Sequence, residues 1–139
     1  MGKILVKYIS LPFALWTMII LNNIIILFHF LVLFQIIPFD IVWAGKLKSV
    51  EEMLVFESIS IAINVLLMSM LLIKGELLKL NISKKLVNVI LWIFVIVFAL
   101  NTISNLFSKT SLETFVATPL TLISAILCLR LILNSKVNA

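Results

Sequence analysis

The sequence predicts an all-α integral membrane protein, with four transmembrane helices in one up-down-up-down antiparallel bundle covering residues 1–139. Three observations predict it. Of the 139 residues, 63% are hydrophobic and 12% charged, against about 45–50% and about 25% in ordinary soluble domains. The apolar residues fall into four runs, each meeting the requirement of about 20 residues for a bilayer-crossing helix. Short polar segments carrying basic residues separate the runs. A chain this short has too much surface for its volume to hide such a load in a water-soluble core, so lipid has to cover it.

The first helix is expected at about 9–37. Lys3 and Lys7 precede an apolar run without a small-residue cleavage site, which predicts an uncleaved signal-anchor helix. The run exceeds one crossing, so tilt or an interfacial extension is expected. Pro12 fits a first turn, and Pro38 ends the helix. Residues 38–48, with Asp40, Trp43 and Gly45, are expected to form a brief interfacial turn or helix. The second helix, at about 50–73, starts at Ser49-Val50-Glu51-Glu52, a capping box. A basic, partly amphipathic segment follows. The third helix, at about 84–107, follows Ser83 as its N-cap. A tight turn leads to the fourth, at about 111–133, which Thr110-Ser111-Leu112-Glu113 caps as a second box. Connections this short make neighbouring helices antiparallel.

Orientation follows from the basic residues. One side receives Lys3, Lys7, Lys74, Lys79, Lys84, Lys85, Arg130 and Lys136; the other receives Lys46, Lys48 and Lys109. Eight against three places both termini in the cytoplasm of a cell with a single inner (plasma) membrane to cross. Trp16 and Trp92 then lie toward the inner interface and Trp43 at the outer one, as an aromatic belt requires. Arg130, near an inner helix end, is expected to snorkel to lipid phosphate. The net charge of +5 sits at the ends of apolar runs, so its expected partner is the anionic bilayer surface and not nucleic acid.

The polar residues inside the spans carry the functional signal. Glu57, Ser60 and Asn64 are spaced i, i+3, i+7 on the second helix; Asn101, Ser104, Asn105 and Ser108 are spaced i, i+3, i+4, i+7 on the third. Thr114, Thr118, Thr121, Ala125 and Cys128 line the fourth, and Asn22 and His29 are seven apart on the first. Each set shares one helical face. Lipid cannot satisfy these groups, so the faces are expected to turn inward. Measured from the expected span ends at about 1.5 Å per residue, His29 lies about 12 Å deep, Glu57 about 6 Å, and Asn101 and Thr118 about 9 Å. His29, Glu57, Ser60, Asn64, Asn101, Asn105 and Thr118 thus form a candidate outward-facing pocket for a small polar or cationic ligand. The competing reading is a closed packing network, since hydrogen bonds between membrane helices serve that purpose at an average of about 0.6 kcal/mol each.

Several classes are disfavoured. There is one cysteine, Cys128, and one histidine, His29, so neither an intramolecular disulfide nor a bis-histidine haem site within one chain can form. No zinc-ligand cluster, P-loop, nucleophile elbow or catalytic carboxylate pair is present, so no enzymatic activity and no cofactor or metal are expected. The helix count and size resemble those of small multidrug transporters, but those carry a membrane-embedded Glu in the first helix and this first helix has none. The stretch Ile37-Pro38-Phe39-Asp40-Ile41-Val42-Trp43-Ala44-Gly45-Lys46-Leu47, with Glu51-Glu52-Met53, Phe56-Glu57, Asn101 and Thr118-Pro119, resembles a pattern in small uncharacterised bacterial four-helix membrane proteins. That resemblance covers most of the chain and implies a bacterial inner-membrane location without an activity. Ala44 stands where the pattern would carry a glycine. The expected role is structural, accessory or ligand-sensing, with a membrane-protein partner or a second copy. The alternative is a minimal transporter or channel subunit acting as an oligomer.

Overall fold

The computed structural model describes residues 1–137, and among them every regular element is helical. A short helix α1 (Gly2–Tyr8) precedes α2 (Leu11–Leu33), α3 (Val50–Lys74) and α4 (Lys84–Leu106). The last helix opens with a π-turn at Glu113–Ala117 and continues as α5 (Thr118–Val137). Four helices are long and apolar enough to cross a membrane: α2, α3, α4 and Glu113–Leu133.

The first expected helix, at 9–37, is in fact shorter: an extended break, the helix α2 and a closing turn. Ile9 and Ser10 are extended, which breaks α1 from α2. Ser10 Oγ accepts from the N–H of Phe13 at 3.3 Å, and Pro12 occupies the first turn, where its missing N–H costs nothing. At the other end α2 stops at Leu33, short of Ile37. Gln35 takes a left-handed φ of 60°. Its N–H reaches Val32 O and that of Ile36 reaches Leu31 O, each at 2.9 Å, a Schellman-type closure. The remaining 23 residues span about 35 Å at about 1.5 Å each, which is one crossing. The excess length seen in the sequence is used by the break at Ile9 and Ser10 and by the chain reversal after Leu33.

The other starts follow their caps. Ser49 Oγ accepts from Glu52 N–H and Ser83 Oγ from Leu86 N–H, both at 3.2 Å. Glu52 turns back to the N–H of Lys48 at 3.0 Å, one residue before the cap. At the fourth start Thr110 Oγ1 accepts from Glu113 N–H at 3.4 Å, but the Glu113 carboxylate is directed elsewhere. The π-turn that follows has a covalent cause: Pro119 has no N–H to give the carbonyl one turn earlier.

Packing joins α2 to α3 and α5, and α4 to α5 most extensively. The main core gathers Leu15 and Met18 of α2, Leu67 and Leu71 of α3, Leu91 and Phe94 of α4, and Cys128 and Leu131 of α5. A smaller core of Val32, Val42, Leu47 and Met53 seats residues 38–48 on the opposite end. Between the ends the outward faces are apolar, with Ile20, Ile24, Ile59, Ile63, Ile93, Ile96 and Leu122 exposed. Only 28–39% of each candidate span is buried inside the bundle, and water-soluble monomers rarely expose so much apolar surface.

Candidate functional site

Glu57, two turns into α3, is the centre of the polar cluster and is 0% exposed. Both of its carboxylate oxygens are engaged. His29 Nδ1, on α2, lies 2.6 Å from Oε2, and Trp43 donates its indole N–H to Oε1 at 2.8 Å. At that separation the imidazole donates to the carboxylate when Nδ1 carries the proton. The His29 side chain is 18% exposed, so the pair has one edge open and one edge sealed. Phe28 meets the imidazole edge-on, and Trp43 tilts against Phe56 at 5.0 Å between ring centroids.

Trp43 reaches Glu57 through an unusual piece of backbone. Trp43, Ala44 and Gly45 have φ values of 54°, 57° and 71°, three left-handed residues in succession. That conformation costs about 1–2 kcal/mol for each L-residue with a Cβ. Gly45 tolerates it, whereas Trp43 and Ala44 must be held. Glu57 holds Trp43. Ala44 donates its N–H to Glu113 Oε2 at 2.8 Å, and the same carboxylate accepts from Ser108 Oγ and, at 3.2 Å, from Thr110 Oγ1. Hydrogen bonds to charged groups contribute about 1.5–3 kcal/mol each, so the two carboxylates outweigh the strain. Residues 43–45 are thereby pinned from α3 on one side and from the α4–α5 turn on the other.

Below Glu57 the polar face continues. Ser60 Oγ donates to Phe56 O at 2.9 Å, Asn64 Nδ2 to Ser60 O at 2.8 Å, and Asn22 Nδ2 crosses from α2 to Asn64 O at 2.9 Å. Asn22 is 1% exposed and its Oδ1 has no partner. Asn22 shares the His29 face and is the fourth member of this column.

The rest of the expected pocket is placed differently. Asn101 and Ser104 are exposed, and Thr102 faces inward instead. The stripe Val87, Leu91, Phe94 and Phe98 is buried, and the burial of its two phenyl rings sets the rotation of α4. That places Thr102 one turn beyond Phe98 along α4 and carries Asn101 round to the outside. Thr102 Oγ1 meets Thr121 Oγ1 at 2.9 Å. Thr118 bonds within its own helix, to Glu113 O at 3.1 Å, and Asn105 contributes its backbone carbonyl to Thr114 at 3.3 Å. Among the described residues no hydrogen bond joins Asn101, Asn105 or Thr118 to Glu57.

Two further expectations change. Trp43, read as an interfacial residue, is 38% exposed and is at the same time a ligand of Glu57. Arg130 does not extend outward: it is 3% exposed, and its Nε donates to Ile9 O at 2.5 Å. Trp16 and Trp92 are exposed on the outer faces of α2 and α4. Glu113 is the residue that sequence reasoning missed, since a capping role accounted for it. The clue was its place opposite a loop that contains Gly45. Among the described residues no three His, Cys, Asp or Glu side chains converge as a metal-ligand set.

No protein-family model, curated protein or solved structure matches this chain.

Proposed function

We propose that this chain is a small accessory protein of the bacterial inner membrane, crossing it up-down-up-down with both termini in the cytoplasm. In this reading it presents a rigid outer loop, residues 38–48, to a membrane-protein partner. One observation carries the proposal: Glu57 is fully buried with both oxygens bonded, so the cluster is a clamp on the loop and not an open cup. A backbone in a sparsely populated conformation persists only where its surroundings over-determine it, and such places cluster at functional sites. Here the clamp leaves Ile41 and Trp43 part-exposed beside Lys46, a mixed apolar and cationic surface. The exposed edge of His29 gives the clamp access to an external proton or small ligand, which is how a sensing role would enter.

Cross-linking and capture from native membranes tests this. The native chain should recover a defined membrane-protein partner, and Ile41→Glu, at an exposed loop position outside the clamp, should lose it while folding normally. Recovery of that partner at equal yield by Ile41→Glu would remove the loop as the docking element.

A second reading has its own support. Glu57, Ser60, Asn64 and Asn22 form a continuous polar column, and Asn22 Oδ1 is left with an unused acceptor. Such a column suits a minimal transporter acting as an oligomer. Proton-coupled flux in liposomes, lost on Asn22→Leu, would favour it over the accessory role.

A further inference from the structure

The end of the bundle away from Glu57 holds a second buried charge. Arg130 lies on α5, 3% exposed. Its guanidinium is anchored by Nε on the carbonyl of Ile9, within the break between α1 and α2. Its Nη1 is buried and has no hydrogen-bond partner. Among the described residues no acidic side chain pairs with it: the ion pair there is that of His29 and Glu57. Arginine stays protonated in proteins, so this is a permanent cation with no acidic partner among the described residues.

The surroundings favour an anion. Ile9 is followed directly by Ser10 and the first turn of α2, a 23-residue helix whose N-terminus carries partial positive charge. α1 packs on α5, with Gly2 beside Leu133, and it brings exposed Lys3 and Lys7 to the same end. A buried fork-shaped donor, a helix N-terminus and a basic short helix thus lie at the same end of the bundle. We propose that the α1–α2 elbow binds a single phosphate group through Arg130, supplied by an anionic lipid headgroup or by free phosphate. Arginine suits this better than lysine, because its planar donors match phosphate oxygens in pairs.

The binding is independent of which partner the opposite loop engages. The test uses the purified full-length protein in a neutral detergent. Phosphatidylglycerol, phosphatidylcholine and inorganic phosphate are added separately while thermal unfolding is followed. Phosphatidylglycerol should raise Tm by several degrees where phosphatidylcholine does not, and 0.5 M NaCl should leave most of the shift, because a buried pair is poorly screened. Arg130→Gln should abolish the shift and Arg130→Lys should keep part of it. An equal shift from inorganic phosphate alone identifies free phosphate as the source; a shift confined to the lipid identifies the headgroup. If Arg130→Gln does not fold, native mass spectrometry of the unaltered chain decides: selective retention of phosphatidylglycerol or phosphate supports the site. Absence of selective retention, or a full shift in Arg130→Gln, overturns it.

Discussion

Trp43 and Glu57 are joined by a 2.8 Å hydrogen bond in which a part-exposed loop residue caps a carboxylate that has no contact with solvent. The bond ties the shape of a connecting segment to the interior of the bundle. Removing either partner should therefore be felt on both sides.

Glu57→Ala should be severely destabilising. Deleting one member of a buried, hydrogen-bonded pair commonly costs about 3–5 kcal/mol, and here both His29 and Trp43 lose their partner. Glu57→Gln should cost much less, since its amide oxygen can still accept from Trp43 and its amide N–H can donate to His29 Nδ1 in the other imidazole tautomer. Thermal unfolding in detergent, with Trp43 as the sole fluorophore after Trp16→Phe and Trp92→Phe, reads both the stability and the loop. Unchanged unfolding and emission in Glu57→Ala would mean that the clamp is idle.

The left-handed turn predicts opposite signs at adjacent positions. Ala44→Gly should relieve strain of about 1–2 kcal/mol, offset by about 0.4–1 kcal/mol of extra freedom in the unfolded chain. The net effect is neutral to mildly stabilising. Gly45→Ala should destabilise, because the new Cβ would sit 3.4 Å from Asp40 O at a φ of 71°. Equal effects of the two substitutions on Tm would show that residues 43–45 do not hold this conformation.

The rotation of α4 can be checked by a pair of neighbours. Asn101→Leu replaces an exposed amide and should leave stability unchanged or raise it. Thr102→Leu enters a filled site that meets Thr121, and overpacking of that kind costs about 1–3 kcal/mol. If Asn101→Leu proved the damaging change, the helix would be turned as its polar spacing suggests.

Topology has a direct readout. Reporter fusions after Lys79 and at Ala139 should both signal cytoplasm, and a fusion after Lys46 the outside. An external signal at Ala139 would show that the number of crossings or their direction is wrong.

Much of this architecture is legible in the residues. A bilayer-crossing helix announces itself by length and apolarity alone, so all four spans could be placed. Ser49 and Ser83 cap α3 and α4 as their sequences indicate. Depth also put His29 and Glu57 in the same outer third of their spans, and the structure joins them. Other features depend on competition that a single sequence does not resolve. The break at Ile9–Ser10 lies at the start of the expected first helix, where hydropathy carries no signal for it. On α4 an aromatic stripe and a polar stripe compete for the interior, and the larger apolar area prevails. The bridging role of Trp43 depends on three left-handed residues, and those are imposed by distant carboxylates and not by local preference.

The Ala44–Glu113 bond connects positions 69 residues apart. A ribosome delivers Ala44 long before Glu113, so the loop must wait in a relaxed form while two more helices are made. Local helices form early, and contacts between distant positions close last. The strained turn can therefore be completed only after the final helix is in place. Its shape would then act as a certificate of assembly, displayed on the surface only by finished molecules and unreadable on a truncated or half-inserted chain.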